Sequence, residues 1–192
     1  MELKNKRVLV TGGSSGIGLA LAHALIARGA RVVITGRRRS VLDDALRSLD
    51  SATGVCADVG SPEGRAATLD QAIQTLGGLD ILVNNAGGMV ARMPYAAFDG
   101  AVFDEVIELN VRSVLVASHA ALPFLKAQQG FIINTTSIAA RTGASLGAGP
   151  YGSAKAFIEN ATRGMAKEFA PFGVRVNAVA PGIVETPFHN TG

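Results

Sequence analysis

Cysteine, histidine and long apolar runs are scarce in this chain of 192 residues. The lone Cys56 can form no disulfide within the chain, so we expect a buried, unreactive thiol in a reducing compartment. The three histidines have no Cys or His at ligand spacing, so we expect no metal site. No apolar run reaches the ~18 residues that span a bilayer, and we expect a soluble, cytoplasmic protein without a membrane partner.

Charged and aromatic residues are also few, at 17% and 5% of the chain. The excess of Lys and Arg over Asp and Glu is three, and Arg37, Arg38 and Arg39 alone account for it. Because no basic stripe with interleaved aromatic rings occurs, we expect no nucleic-acid partner. The low share of charge indicates extensive buried surface, with room for a subunit interface.

What the sequence does contain is a regular alternation of short Val- and Ile-rich runs with stretches of helical period. This alternation predicts an α/β fold with a parallel sheet covered on both faces, in one domain over residues 1–192. The predicted strands are residues 7–11, 31–35, 54–57, 81–84, 131–135 and 175–180. The predicted helices are residues 16–28, 41–49, 63–76, 101–128 and 151–169. The glycine-rich residues 143–150 predict a flexible loop before Tyr151.

A glycine-rich turn follows the first predicted strand and opens the first predicted helix; it reads Thr11-Gly12-Gly13-Ser14-Ser15-Gly16-Ile17-Gly18. Glycine lets the backbone turn tightly and approach a phosphate, and the N–H groups of a helix N-terminus attract negative charge. In this context the turn predicts a binding site for a dinucleotide pyrophosphate. The alternative is a turn that serves only to reverse the chain.

The end of the second predicted strand indicates which dinucleotide is bound. An acidic residue at this place binds the ribose 2′-hydroxyl, whereas Arg accommodates a 2′-phosphate. Here the strand is followed by Gly36-Arg37-Arg38-Arg39, without an acid. We therefore predict NADP(H) as the preferred cofactor, held by Arg37 and Arg38, with NAD(H) as the second candidate. If the arginines only begin a solvated helix, the protein tolerates both cofactors.

Tyr151 and Lys155 are spaced i, i+4, so on a helix their side chains point the same way and can share one ligand. A Tyr with a reference pKa of about 10 is a poor base at neutral pH. An adjacent ammonium and the positive charge of an oxidised nicotinamide would both lower that pKa. The pair therefore predicts general acid/base chemistry.

The sequence resembles the short-chain dehydrogenase/reductase family nearly from end to end. The resemblance is carried by the glycine-rich turn and by further motifs that occur in the family's order. They are Asp58-Val59, Asn84-Asn85-Ala86-Gly87, Asn110, Ser137, Tyr151-Gly152-Ser153-Ala154-Lys155 and Pro181-Gly182. The resemblance implies a Rossmann-like, doubly wound sheet in the order 3-2-1-4-5-6. It also implies an oxidoreductase that transfers a hydride between NADP(H) or NAD(H) and a carbonyl or secondary alcohol.

The resemblance further implies a role for each matching residue. Tyr151 exchanges a proton with the substrate oxygen, Ser137 donates a hydrogen bond to it, Lys155 holds the nicotinamide ribose and tunes the tyrosine, and the backbone of Asn110 holds a relay water. Asn84 supports the sheet, Asp58 meets the adenine and Val59 packs beside it. The implied cofactor contacts are Gly12, Ser14, Ser15, Gly16, Ile17, Gly18, Asp58, Val59, Asn85, Ala86, Gly87, Tyr151, Lys155, Pro181, Gly182, Ile183 and Thr186.

Each of these residues also has an ordinary structural explanation. Taken singly, Tyr151 could be packing, Lys155 a solvated charge, Ser137 a cap and Asn110 a partner for local backbone. A dinucleotide-binding sensor or scaffold without turnover is the second functional hypothesis, and the intact Ser137, Tyr151 and Lys155 argue against it. The substrate should be selected by residues 88–94, 139–150 and those after Thr186, and its identity stays open beyond the class of alcohols and ketones.

The family resemblance also bears on length and assembly. Family members usually continue past the Pro-Gly turn into a seventh strand, a helix and a substrate lid, and form dimers or tetramers. No apolar run after Thr186 supplies that strand. We therefore expect a chain that continues beyond Gly192 and forms a homo-oligomer; if it ends there, the sixth strand is an exposed edge and turnover should be weak or absent.

Overall fold

The computed structural model describes residues 2–187, in which six parallel strands form one sheet in the order β3-β2-β1-β4-β5-β6. The predicted α/β fold and strand order are confirmed. The strands are β1 (Arg7–Val10), β2 (Arg31–Gly36), β3 (Ala52–Cys56), β4 (Ile81–Asn84), β5 (Phe131–Thr135) and β6 (Arg175–Val179). The six predicted strands match these within two residues at either end. The expectation that the chain continues beyond Gly192 concerns residues outside those described.

Helices connect these strands and cover both faces of the sheet. They are α1 (Gly16–Ile26), α2 (Arg39–Ser48), α3 (Pro62–Leu76), α4 (Gly100–Ile107), α5 (Ser113–Gln128), α6 (Ala139–Thr142) and α7 (Gly149–Phe169). Short 3₁₀ turns occur at Tyr95–Ala97 and Ala170–Phe172. None of the helices within residues 2–187 is long and apolar enough to cross a membrane.

Successive residues of each strand enter different cores, because side chains of a strand alternate between its two faces. Leu9 of β1 packs in a core that includes Ala121 and Leu125 of α5. Val8 and Val10 of the same strand pack in the opposite core, which includes residues of α1 and α2. A strand buried on both faces has no polar face, and this explains the continuous apolar runs in the sequence.

The helix predicted over residues 101–128 is not continuous. A π-helical turn, Glu108–Arg112, separates α4 from α5. The side-chain amide of Asn110 donates to the carbonyl oxygen of Val106 at 3.0 Å, an acceptor that the Asn110 backbone N–H would use in a regular helix. The Ser113 N–H bonds instead to the Glu108 oxygen, five residues back. Periodicity alone does not reveal this competition, so the prediction was wrong at this turn.

Two smaller predictions were also wrong. Cys56 is exposed, because it is the last residue of an edge strand, and its thiol lies 3.9 Å from the Arg37 carbonyl oxygen. The predicted loop over residues 143–150 ends early, because α7 begins at Gly149 with Pro150 in its first turn, where proline costs no hydrogen bond. The short helix α6 precedes that loop and was not predicted.

The reversal of strand order lies between β1 and β4. From β1 the chain continues to β2 and β3 on one side, and from β4 to β5 and β6 on the other. The connections after β1 and β4 therefore leave in opposite directions and open a crevice at the carboxyl ends of these strands. The glycine-rich turn and the Asn85–Gly87 segment both lie there.

At the opposite end of the sheet, Asp80 fixes β1 to β4. Its carboxylate accepts the backbone N–H of Arg7 at 2.9 Å and the Arg7 Nε–H at 2.8 Å. Burial of Asp80 acts to raise its pKa, but the hydrogen bonds and charge of Arg7 outweigh it, so the pKa is lowered. The stabilisation is therefore complete above the usual pKa of Asp and is lost as the pH falls through the lower pKa of the folded state.

We predict that Asp80→Asn lowers the free energy of unfolding by about 2 kcal/mol at pH 7, because it removes charged hydrogen bonds from a buried position. Chemical denaturation at pH 7 and at pH 3 measures the effect. The difference between Asp80→Asn and the unmutated chain should shrink at pH 3. A difference that is the same at both pH values would contradict this account.

Candidate active site

A cleft of about 1340 Å³ opens at the carboxyl ends of the strands. All the residues predicted for the site line it except Gly18 and Asn110, which lie behind its surface. The cleft therefore brings together segments that are up to 174 residues apart, from Gly12 to Thr186. It is the natural place in this topology for a ligand.

The glycine-rich turn has the backbone shape that its sequence predicts. Gly12 and Gly16 have φ values of +64° and +53°, in the left-handed region that favours glycine. A Cβ on Gly18 would lie 2.3 Å from the carbonyl oxygen of Gly12, so α1 packs directly on the turn. The first turn of α1 has no side-chain cap and no acidic residue, which leaves its N–H groups for an anion.

The end of β4 clamps this turn. The hydroxyl of Thr11 accepts the backbone N–H groups of Asn85 and Ala86, both at 3.0 Å. The side-chain amide of Asn85 donates to the carbonyl oxygens of Thr11 and Gly12, both at 3.1 Å. Thr11 was not among the predicted site residues. An isolated threonine at a strand end carries no signal in the sequence, since its partner is 74 residues away.

Arg37 and Arg38 follow β2 at the rim of the cleft, and both are exposed. Among residues 2–187, neither side chain has an ion-pair partner, whereas Arg39 pairs with Asp43 at 3.1 Å. Two unpaired guanidinium groups at the end of β2 could hold a phosphate group bidentately.

Asp58 and Val59 form a turn between β3 and α3. The Asp58 carboxylate accepts the backbone N–H of Gly60 at 2.9 Å, and its carbonyl oxygen accepts the hydroxyl of Ser61 at 3.0 Å. Ser61 in turn caps α3 by accepting the N–H of Gly64. Asp58 is thus also a turn-forming residue, the role that an aspartate at a strand end commonly has.

Tyr151 and Ser137 meet on the other side of the cleft. Ser137 follows β5 and accepts the N–H of Ala139, which begins α6. Burial raises the pKa of Tyr151, and a hydrogen bond with Ser137 acts in the opposite direction without cancelling it. The protein's own groups therefore raise the Tyr151 pKa, whereas the sequence predicts a lowered one. At neutral pH the Tyr151 hydroxyl carries its proton.

Lys155 lies one turn further along α7 and is only 2% exposed. Its ammonium donates to the carbonyl oxygen of Thr135 at 2.9 Å and lies 5.7 Å from the centre of the Tyr151 ring. Burial lowers the pKa of Lys155 to about 8. A Cβ on Gly87 would lie 2.8 Å from both this ammonium and the Asn110 Oδ1, so a side chain at residue 87 would displace one or both of them.

Asn110 is fully buried, and its side chain holds the segment after β4. Its Oδ1 accepts the Gly88 N–H at 3.1 Å, and its Nδ2 donates to the Gly88 oxygen at 2.8 Å. The same amide donates to the Val106 oxygen, so one side chain contacts both the segment after β4 and the helix that precedes the π-helical turn. The role implied by the family resemblance rests on the backbone of Asn110 and stays a prediction.

A chain of buried polar side chains crosses the sheet beneath the cleft. Asn84 of β4 donates to Ser118 of α5 at 3.1 Å and to Asn134 of β5 at 2.9 Å. Asn134 donates to Thr162 of α7 at 2.9 Å. Asn84 is therefore structural, as the family resemblance implies. The other three members of this chain were not predicted, although two asparagines near the ends of adjacent buried strands are a signal that could have been used.

The segment after β6 returns to the glycine-rich turn. Pro181, Gly182 and Ile183 line the cleft, and the Pro181 oxygen accepts the N–H of Ile138 at 3.0 Å. The side chain of Thr186 lies 3.3 Å from the place of a Gly16 Cβ. Among residues 2–187, no group of His, Cys, Asp and Glu is suited to hold a metal ion.

A nicotinamide dinucleotide suits this cleft. One end has the uncapped helix N-terminus and positive-φ glycines that an anionic pyrophosphate needs. The other has a buried ammonium 5.7 Å from the centre of a tyrosine ring, with Gly87 directly beside the ammonium. Close approaches to backbone therefore require Gly12 and Gly18, and the positive φ favours glycine at residue 16.

Comparisons with known proteins agree with this geometry. Residues 6–191 match the family described as short chain dehydrogenase. The chain is 39% identical to 3-oxoacyl-[acyl-carrier-protein] reductase of Vibrio cholerae, over 97% of this chain and 76% of that protein.

Two solved structures match the fold closely. A short chain dehydrogenase from Burkholderia cenocepacia in complex with NADP has a TM-score of 0.91 and 35% identity, covering 98% of this chain and 78% of that chain. A 3-ketoacyl-(acyl-carrier-protein) reductase from Brucella melitensis complexed with NADH also has a TM-score of 0.91, with 30% identity, covering 98% of this chain and 80% of that chain. The chain belongs to the short chain dehydrogenase family and is one of its nicotinamide-dinucleotide-dependent oxidoreductases.

Proposed function

We propose that this protein transfers a hydride between NADP(H), its preferred cofactor, and a carbonyl or secondary alcohol substrate, with Tyr151 as the general acid and base. The observation that carries the proposal is the grouping of Ser137, Tyr151 and buried Lys155 in one cleft with the phosphate-binding turn. Residues 1–192 would act as one dinucleotide-binding and catalytic domain. The cytoplasmic location and the homo-oligomer stay predictions.

Different residues would bind different parts of the cofactor. Gly12, Ser14, Ser15, Gly16, Ile17 and Gly18 would hold the pyrophosphate, with Gly18 acting through its close packing on Gly12. Arg37 and Arg38 would hold the 2′-phosphate, and Asp58 and Val59 the adenine. Asn85 to Gly87, Lys155 and the segment Pro181 to Thr186 would surround the nicotinamide riboside. The bound nicotinamide supplies or accepts the hydride.

Proton transfer falls to the chain's own side chains. In the reducing direction the Tyr151 hydroxyl gives its proton to the substrate oxygen, and Ser137 donates a hydrogen bond to the same oxygen. The Lys155 ammonium stabilises the phenolate that results, because it is a cation in a site largely closed to water. Asn110 keeps Gly88, and with it the wall beside Lys155, in place.

A sensor or scaffold that binds the dinucleotide without turnover is the second candidate. Burying the Lys155 charge is costly, and the pKa near 8 reflects that cost. A scaffold gains nothing from a buried ammonium beside a tyrosine, whereas acid/base chemistry does. Turnover on a panel of ketones and alcohols with NADPH and NADH distinguishes the two candidates.

We predict that Tyr151→Phe lowers kcat for ketone reduction by about 10²–10⁴-fold, the range expected for loss of a general acid. The affinity for NADPH should change little, because the ring and its packing remain. Steady-state kinetics and a cofactor titration measure the two effects. A variant that keeps most of its kcat would show that Tyr151 is not the proton donor.

We predict that Arg37→Asp reverses the cofactor preference from NADPH to NADH. Loss of charged hydrogen bonds to a phosphate should weaken NADPH binding by about 10–100-fold. Arg39→Asp is the matched control, because it makes the same change of charge at a residue that does not line the cleft. Equal preference for both cofactors in the unmutated protein would refute the role given to Arg37 and Arg38.

We predict that kcat/KM for reduction falls as the pH rises through about 8. The Lys155 pKa is lowered to about 8, so the ammonium loses its proton, and its charge, above that pH. Tyr151, whose pKa is raised, keeps its proton over this range. A pH–rate profile from pH 6 to 9.5 tests this, with the alkaline limb absent in Lys155→Met. A flat profile for the unmutated protein would exclude Lys155 as the titrating group.

A further inference from the structure

Arg65 is a cation in an unexpected place. It lies in the first turn of α3, where the helix dipole disfavours positive charge, and it is only 8% exposed. Buried arginines are rare unless they are paired. Both the helix dipole and the burial make the charge of Arg65 unfavourable. The interactions that compensate for them should therefore show what the side chain does.

One atom of Arg65 joins two separate parts of the chain. Its Nη1 donates to the carbonyl oxygens of Val59 and Gly60 at 3.3 and 3.0 Å. The same nitrogen lies 2.9 Å from Oε2 of Glu108, at the start of the π-helical turn. The loop after β3 is thus tied to the turn that carries Asn110, through an ion pair between residues 43 positions apart, Arg65 and Glu108.

Arg65 does not itself line the cleft, but all three of its partners do. Its influence on a ligand must therefore pass through them. Residue 64 cannot carry a side chain that supports the loop after β3. It is a glycine packed against the loop, and a Cβ there would lie 1.9 Å from the Asp58 carbonyl oxygen. Arg65 is the next residue, and its long side chain reaches around this contact to Glu108.

Glu108 has a second cationic partner, Arg112, on its solvent side. Arg112 is exposed and, among the described residues, has no hydrogen bond or ion pair with the loop after β3. Burial acts to raise the pKa of Glu108, but the hydrogen bonds from Arg112 and Arg65 outweigh it and lower that pKa. Glu108 is therefore ionised at neutral pH and can pair with both arginines.

We propose that Arg65 is a positioning residue that holds the Asp58–Gly60 loop against the π-helical turn, and so sets the affinity for the adenosine half of the cofactor but not for its nicotinamide half. This inference rests on the proposed function, which places the adenine at Asp58 and Val59. A side chain that served only global stability would affect both halves alike.

The test measures the two halves separately, with adenosine 2′,5′-bisphosphate by calorimetry and reduced nicotinamide mononucleotide by its fluorescence. Arg65→Met should weaken binding of the bisphosphate about tenfold or more and leave the mononucleotide within about twofold. Arg112→Met is the matched control, since it removes the other partner of Glu108, and it should leave both affinities within about twofold. Equal losses for the two halves, or none for the bisphosphate, would overturn the proposal.

Hydrogen exchange gives a readout that needs no ligand. In Arg65→Met, the amides of Gly60 and Ser61, which bond to Asp58, should exchange faster. The amides of the glycine-rich turn should exchange at unchanged rates. Unchanged exchange at Gly60 and Ser61 would count against Arg65 as the brace of this loop.

A variant that fails to fold does not end the test. Glu108→Gln keeps the size of the residue and removes the charge that attracts Arg65, and it should produce the same split between the two halves. If the unmutated protein binds neither half, the proposed function fails and this inference with it. If the unmutated protein binds both and the Arg65 and Glu108 variants match it, the inference alone fails.

Discussion

The close contact between the ends of β1 and β4 is the constraint on which the rest of the site depends. Thr11 and Asn85 exchange four hydrogen bonds there with backbone groups of the two segments, and a Cβ on Gly12 would lie 2.8 Å from Cα of Ala86. The strand order reverses at this point, so the crevice and its most rigid contact coincide. The glycine-rich turn is thus held in place by the chain's own contacts.

Burial of polar groups shapes the chemistry of the opposite end of the cleft. The ladder from Asn84 through Asn134 to Thr162 fixes β4, β5 and α7 to one another, and α7 carries Tyr151 and Lys155. The same burial keeps the tyrosine protonated and brings the lysine pKa close to neutral. These shifts move the two pKa values apart, so at neutral pH the tyrosine keeps its proton while the lysine titrates close to the working pH.

Local signals allowed much of this structure to be predicted from the sequence. The strands were predictable because each is an apolar run buried on both faces, and the phosphate turn because glycines follow a strand and open a helix. Three other features could not be predicted, because each depends on parts of the chain that are distant in sequence. They are the π-helical turn, the hydrogen bonds of Thr11 with residues 85 and 86, and the exposure of Cys56 at the edge of the sheet. The raised pKa of Tyr151 was missed for a similar reason. The i, i+4 spacing drew attention to the charge of Lys155, whereas burial, which depends on the whole fold, raises the pKa.

The π-helical turn links these separate constraints. The side chain of Asn110, inside this turn, donates to the Val106 oxygen and also fixes Gly88, whose neighbour Gly87 lies beside the buried lysine. Glu108, two residues earlier, faces the opposite way along the cleft and pairs with Arg65. A π turn holds one more residue than a turn of regular α-helix, so it changes the directions in which the side chains before and after it point. The π-helical turn therefore contacts Gly88 through Asn110 and, through Glu108 and Arg65, the loop after β3.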